Sequence, residues 1–89
     1  MNIVRKASAG TMESSDAYVE IAPGEGGLRI ELDSVVKAQF GDAIEKAARD
    51  VLEENQVRNA RVHIVDRGAL ECVIRARVET AVVRGRENT

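Results

Sequence analysis

Between two apolar, strand-like segments lies Gly10-Thr11-Met12-Glu13-Ser14-Ser15-Asp16, a knot of small hydroxyls and carboxylates. Short polar side chains of this kind bond back to nearby backbone groups and favour turns, so the stretch is expected at the surface with a serine presented to water. A serine hydroxyl becomes an effective nucleophile only when a base takes its proton, and Ser14 has no histidine near it in sequence. On the residues alone, the stretch reads as a surface turn.

Nothing else in the chain assembles chemistry more readily. Cys72 is the only cysteine and His63 the only histidine, so neither an internal disulfide nor a cysteine-rich zinc site can form, and no metal cluster is expected. His63 reads as a surface side chain on a strand, with no second ligand type beside it. Cys72 falls on a predicted helix, where packing is its expected role. No acid, base and nucleophile constellation marks an independent enzyme.

The elements that must position the turn are small. The 89 residues suit one domain, positions 1–89, with a single modest core and a flexible tail at 86–89. Apolar residues make up 44% but include only Tyr18 and Phe40 as aromatics, which favours a thin two-layer packing of Val, Ile, Leu and Ala. Thirteen basic and 15 acidic residues are interspersed, for a formal charge of -2, so no basic footprint for nucleic acid exists. No apolar run is long enough for a membrane span, and the first residues lack the apolar core of a secretory signal. A cytoplasmic protein is expected.

Residues 3–12 read as a short strand leading into the turn. Ala17-Tyr18-Val19-Glu20-Ile21 and Leu28-Arg29-Ile30-Glu31-Leu32 then alternate across the glycine-rich loop Pro23–Gly27, and they read as an antiparallel hairpin with Glu20 and Arg29 paired on its outer face. Asp33-Ser34 offers N-cap oxygens for a helix over 35–54, whose stripe is Val36, Phe40, Ile44, Ala47 and Val51. Gly41 interrupts that helix, and a close backbone approach would account for it. Ala60–Val65 is a further strand, parallel to 28–32 through the crossover helix. A final helix over 69–84 has Leu70, Ile74, Val78, Ala81 and Val82 as its stripe, with Gly85 as its stop. The expected fold is α+β, a two-layer sandwich in the order β-β-β-α-β-α, with two helices on one face of a mixed sheet of about four strands.

Three blocks carry a resemblance. Gly10–Asp16, Gln39-Phe40-Gly41-Asp42-Ala43-Ile44, and Gly68-Ala69-Leu70-Glu71-Cys72 followed by Ile74, Arg75, Ala76 and Arg77 stand in the order and spacing of the citrate lyase acyl carrier (gamma) subunits. The chain resembles that family over most of its length. Met12 stands where leucine is usual there, and Ser15 where glycine is common.

The resemblance implies that Ser14 carries a 2'-(5''-phosphoribosyl)-3'-dephospho-CoA group through a phosphodiester; the choice of Ser14 over the neighbouring Ser15 rests on the alignment. It further implies a non-catalytic role within a complex. A separate prosthetic-group transferase would install the arm, with Glu13 and Asp16 as possible recognition residues. The alpha subunit (acyl-transferase) would exchange acetyl for citryl on the arm, and the beta subunit (lyase) would cleave the citryl thioester to oxaloacetate. A thioester suits this cleavage because an ionised carboxylate, already negative, stabilises an adjacent carbanion poorly. The carrier of malonate decarboxylase, a citramalate lyase carrier and an unmodified protein interaction module are the alternatives.

Overall fold

Ala17, Val19 and Ile21 alternate with Tyr18 and Glu20, as a strand with one dry face requires. The computed structural model describes residues 2–86, and there this alternation becomes strand β2 (Ala17–Ala22), with the first three side chains fully buried. Strand β1 (Ala7–Gly10) runs antiparallel along one side of it. Along the other side, also antiparallel, runs β4 (Ala60–Asp66), and β3 (Leu28–Ser34) lies parallel to β4 at the far edge. The sheet order is therefore β1-β2-β4-β3.

The parallel pairing of β3 with β4 agrees with the crossover expected from the sequence. The hairpin does not form: β4 is inserted between β2 and β3, so Glu20 and Arg29 sit on strands that never touch. Burial follows from this order: Ala60, Val62 and Ile64 of the central β4, paired on both sides, are at most 2% exposed, whereas Leu28, Ile30 and Leu32 of the edge strand β3 are only half-buried. Glu20 instead accepts a hydrogen bond from the Tyr18 hydroxyl at 3.2 Å and lies 3.8 Å from the Lys6 ammonium.

Helices α1 (Lys37–Glu54) and α2 (Glu71–Arg86) cover one face of the sheet and touch each other. Helix α1 buries Ile44, Ala47, Ala48, Val51 and Leu52, while α2 buries Ile74, Val78, Ala81 and Val82. Each such aliphatic side chain larger than alanine contributes about 1.5–3 kcal/mol on burial. Glu45 with Arg49 and Lys46 with Asp50 form the ion pairs that four-residue spacing allows. Glu54 reaches across to Arg75 of α2 at 2.9 Å.

The helix starts differ from expectation. Helix α1 is capped at Val36, and Ser34 remains in β3, where its hydroxyl accepts the Val36 N–H and donates to Asp66. Phe40 and Leu70, both assigned to buried stripes, are 54% and 71% exposed, because α2 begins after Leu70 and does not extend over the first turns of α1. Cys72, expected to pack, is exposed on the first turn of α2. Gly41 has no backbone close by: a Cβ there would meet only the Lys37 side chain at 3.1 Å and Leu32 at 3.8 Å.

Gly85 does not stop the second helix. It lies inside α2 as a buried contact, and a Cβ there would stand 3.1 Å from Ile21 and 3.2 Å from Ile3. Its carbonyl accepts the N–H groups of Val4 and Arg5, which seats the N-terminal segment on the end of α2. Arg86, the first residue of the expected tail, is the last of α2, and positions 87–89 lie outside the described residues.

Candidate functional site

β1 ends at Gly10 and β2 begins at Ala17, so the hydroxyl stretch spans the connection between two antiparallel neighbours. Gly10 is required there. Its φ of +94° is in the left-handed region, and a Cβ would fall on the carbonyl oxygen of Ala17. Beyond it the Asp16 N–H donates to the Glu13 carbonyl at 3.1 Å, closing a β-turn with Ser14 and Ser15 at its two central positions. Ser15 has φ +67°, which at the third position of such a turn favours glycine.

Asp16 is the hub of the turn. Its Oδ1 accepts the Ala17 N–H at 2.7 Å and Arg77 Nε at 3.0 Å, and its Oδ2 accepts the Thr11 hydroxyl at 2.7 Å and Arg77 Nη2 at 2.8 Å. The Arg77 guanidinium, then the Thr11 hydroxyl and the Ala17 amide, hold the Asp16 carboxyl well below the usual carboxylate range, and the hydrogen bond to Asp16 raises the affinity of Arg77 for its proton. Thr11 also accepts the Glu13 N–H at 3.2 Å, so one hydroxyl ties both ends of the turn.

The turn is also attached to the sheet. Ser15 N–H donates to the Arg67 carbonyl at 2.8 Å, and Arg67 N–H donates to the Asp16 carbonyl at 2.9 Å. Arg67 is set in turn by its neighbour Asp66, the one buried charged side chain among the described residues. Asp66 Oδ2 accepts the Ser34 hydroxyl at 2.7 Å, while Oδ1 accepts the amides of Gly68 and Ala69 at 3.1 and 2.9 Å. Those two amides are therefore engaged within the chain and are not free to hold a phosphate.

Ser14 and Ser15 are exposed, and within the described residues neither hydroxyl makes a hydrogen bond. Glu13 is exposed beside them, whereas Asp16 is engaged throughout. His63 lies on the outer sheet face, in register with Glu20, three positions along β2 from Ala17. The site thus offers a rigid, solvent-facing hydroxyl with no base of its own. It can be modified by another protein, and a bulky group joined by a phosphodiester fits because nothing stands over the turn. Among the described residues no three potential ligands gather for a metal ion.

Sequence reasoning placed the serines correctly at the surface, and it named Thr11 in the turn and Arg77 in the third resembling block, but it gave neither of them, nor Asp66, a part in holding the turn. Arg77 is 61 positions from Asp16, and no local pattern pairs the two.

A family model described as the malonate decarboxylase delta subunit (MdcD) matches residues 4–85. The chain is 54% identical to the citrate lyase acyl carrier protein of Escherichia fergusonii over an alignment of 90 residues, covering all of this chain and 93% of that relative. It is 55% identical to the citrate lyase acyl carrier protein of Rhodopseudomonas palustris, covering 94% of this chain and 87% of the relative. Among solved structures, a chain in the crystal structure of a Pseudomonas malonate decarboxylase hetero-tetramer in complex with malonate superposes with a TM-score of 0.81 at 22% identity, covering 94% of this chain and 87% of that one. At that identity the likeness bears on the fold.

Proposed function

The chain belongs to the citrate lyase acyl carrier protein family, and on that premise we propose that Ser14 anchors a phosphoribosyl-dephospho-CoA arm serving a complex that cleaves citrate to oxaloacetate and acetate. The observation that supports this reading is a pair of exposed, unpartnered serine hydroxyls in a turn that Thr11, Asp16, Arg77 and Arg67 hold in place, with the choice of Ser14 over Ser15 resting on the resemblance. When bound, the arm supplies a thiol that holds acetyl or citryl groups as thioesters. The chain itself is a non-catalytic carrier subunit.

Its residues act by position. Thr11, Asp16, Arg77 and Arg67 fix the turn, so that the hydroxyl to be modified has one orientation when the prosthetic-group transferase docks. Glu13 stands exposed for charge-guided recognition by that enzyme, and Asp16 contributes by holding the shape that is recognised. Tethering keeps the acyl group at high effective concentration for the alpha acyl-transferase and beta lyase subunits, so intermediates need not diffuse away between steps. The chain acts as one carrier domain in the cytoplasm.

A second reading, the carrier of a malonate decarboxylase, is favoured by the name of the matching family model and by the shared fold. Identity of 50–55% to citrate lyase carriers favours citrate.

Intact mass of the chain from its native host, grown on citrate, tests the proposal. The expected result is an added mass equal to the dephospho-CoA derivative, absent in Ser14→Ala and mapped by fragmentation to Ser14. An unmodified chain in citrate-metabolising cells would refute it. Decarboxylation of malonate by the isolated complex, without citrate cleavage, would establish the second reading.

A further inference from the structure

We infer that the free edge of β3 is an interface between two copies of this chain, which pair antiparallel about Ile30 and so continue the sheet of one copy into the other. The inference is independent of the carrier reading, and its test uses neither arm nor enzyme.

β3 is the edge strand beyond β4. The Gly27 carbonyl accepts the Ala60 N–H at 3.3 Å, and the Val35 N–H donates to the Asp66 carbonyl at 3.4 Å, so the odd-numbered residues of β3 direct their backbone groups to β4. Alternation then turns the N–H and C=O groups of Leu28, Ile30 and Leu32 to the free side, where no described residue bonds them. The register with β4 is unbroken from Leu28 to Ser34, so no bulge bends this edge away, and the strand holds no proline. The opposite edge is guarded: β1 has 4 residues, and its Ser8 carbonyl accepts Arg84 Nη1 at 2.9 Å. An open edge of 7 residues is a template for another strand.

The residues of the strand name its partner. Read backwards, Leu28-Arg29-Ile30-Glu31-Leu32 keeps its aliphatic positions and exchanges each charge for the opposite one. The free backbone groups sit on even-numbered residues, so even must face even across the new pair. Registers centred on Arg29, Ile30 or Glu31 satisfy this over most of the strand. Centred on Arg29, the pair sets arginine against arginine; centred on Glu31, it sets glutamate against glutamate. Centred on Ile30, each Arg29 faces the Glu31 of the second copy, and opposite charges placed so stabilise a sheet where like charges weaken it. Within one copy Arg29 stands opposite Arg61 and Glu31 opposite His63. The joined row would run Arg61, Arg29, then Glu31 and His63 of the second copy, giving Arg29 the carboxylate that its own register does not supply.

The helix side of the sheet gains as well. Leu28, Ile30 and Leu32 are only half-buried, and the same register sets Leu28 beside Leu32 of the second copy and Ile30 beside its counterpart. An open recess of about 390 Å³ between residues 30–32 and Lys37, Gly41, Asp42 and Glu45 of α1 gives these side chains room. Its helix charges are balanced, Lys37 against Asp42, with Glu45 paired to Arg49 at 3.4 Å. The serine turn joins β1 to β2, away from this edge, so both copies keep their hydroxyls open.

Sedimentation velocity of the full-length chain over a dilution series, with R29E and E31R measured alone and then mixed in equal amounts, tests the register itself. The wild type is expected to show a monomer–dimer equilibrium. R29E alone and E31R alone place like charges at both contacts and should associate about tenfold more weakly or less. Their mixture places opposite charges at both contacts and should restore association. Circular dichroism matching the wild type shows that each variant is folded. Hydrogen exchange locates the contact: the amides of Leu28, Ile30 and Leu32 should gain protection with rising concentration, while those of Arg29 and Glu31, bonded to β4, should not change. A wild type that stays monomeric up to about 1 mM overturns the inference, as do variants that associate as the wild type does or a mixture that restores nothing. Protection of the even-numbered amides only when other subunits are added overturns it too, since the edge then belongs to a different chain.

Discussion

Arg77 grips both carboxylate oxygens of Asp16 across 61 residues of chain, Nε to Oδ1 at 3.0 Å and Nη2 to Oδ2 at 2.8 Å. A two-point contact fixes orientation as well as distance. Because Asp16 also receives Thr11 and the Ala17 amide, the serine turn is tied to α2 through one carboxylate. The turn is thereby part of the tertiary structure, although its length would suit a mobile loop.

Replacing Arg77 should loosen the turn without removing the Ser14 hydroxyl. R77A is expected to slow attachment of the arm by about tenfold or more, since small misplacements of a reacting group carry large rate costs. R77K keeps the charge and loses the fork, and should fall in between. Transferase assays monitored by intact mass check this; equal rates for all three chains would contradict the positioning role.

Acid should act on the same contact. The folded-state pKa of Asp16 is lowered, so its contribution to stability is fully present above the ordinary carboxylate pKa of about 4 and is lost as pH falls through the lower folded-state value. Urea midpoints measured from pH 6 down to pH 2 should decline more steeply for the wild type than for D16N. Parallel curves would remove Asp16 from the acid response.

Ser15 pays a conformational cost that glycine would not, with φ at +67°. S15G is expected to raise stability by up to about 1 kcal/mol, the left-handed penalty being partly offset by the greater freedom of glycine when unfolded. It also separates the two hydroxyls: the added mass should persist in S15G and vanish in S14A. Denaturation midpoints and peptide fragmentation read both outcomes.

Two glycines should respond in opposite directions to alanine. At Gly10 a Cβ collides with the Ala17 carbonyl at φ +94°, so G10A should destabilise by more than about 2 kcal/mol. At Gly41 the Cβ makes its one tight approach to the flexible Lys37 side chain and an ordinary contact with Leu32, and G41A should stabilise α1 by up to about 1 kcal/mol. Thermal unfolding of the pair gives both signs in one experiment.

Asp66 holds three donors in a buried position. D66A strands the amides of Gly68 and Ala69 and the Ser34 hydroxyl, and should cost about 2–4 kcal/mol. Hydrogen exchange should accelerate at Gly68 and Ala69, and at Ser15 through the displaced Arg67. Unchanged protection at Ser15 would show that the turn stands without this support.

Much of this fold was legible in the period-2 and period-3.6 patterns. Ala17, Val19 and Ile21 are buried as alternation requires, Ile44 through Leu52 form the face of α1, and a strand, helix and strand in succession gave the parallel pair. Strand order was not legible, because Pro23–Gly27 suits a tight hairpin and a connection that skips a strand equally well. The inner faces of β3 and β4 are both aliphatic, so residue type does not say which strand takes the centre. Phe40 and Leu70 were misplaced because helical periodicity says which side a residue lies on, not how far the opposing element extends. At the site, local turn chemistry identified the hydroxyls, while the pairing of Arg77 with Asp16 spans 61 positions and leaves no local pattern to read.

The bonds from Arg67 and Arg77 to Ser15 and Asp16 also set an order of events. A chain still emerging from the ribosome has its serines early but lacks the downstream groups that shape them, so no finished docking face can exist until synthesis has passed residue 77 and α2 has settled. Under the proposed carrier role, an enzyme that reads this shape would pass over nascent, truncated or misfolded copies and would attach its group only to molecules that have completed their fold.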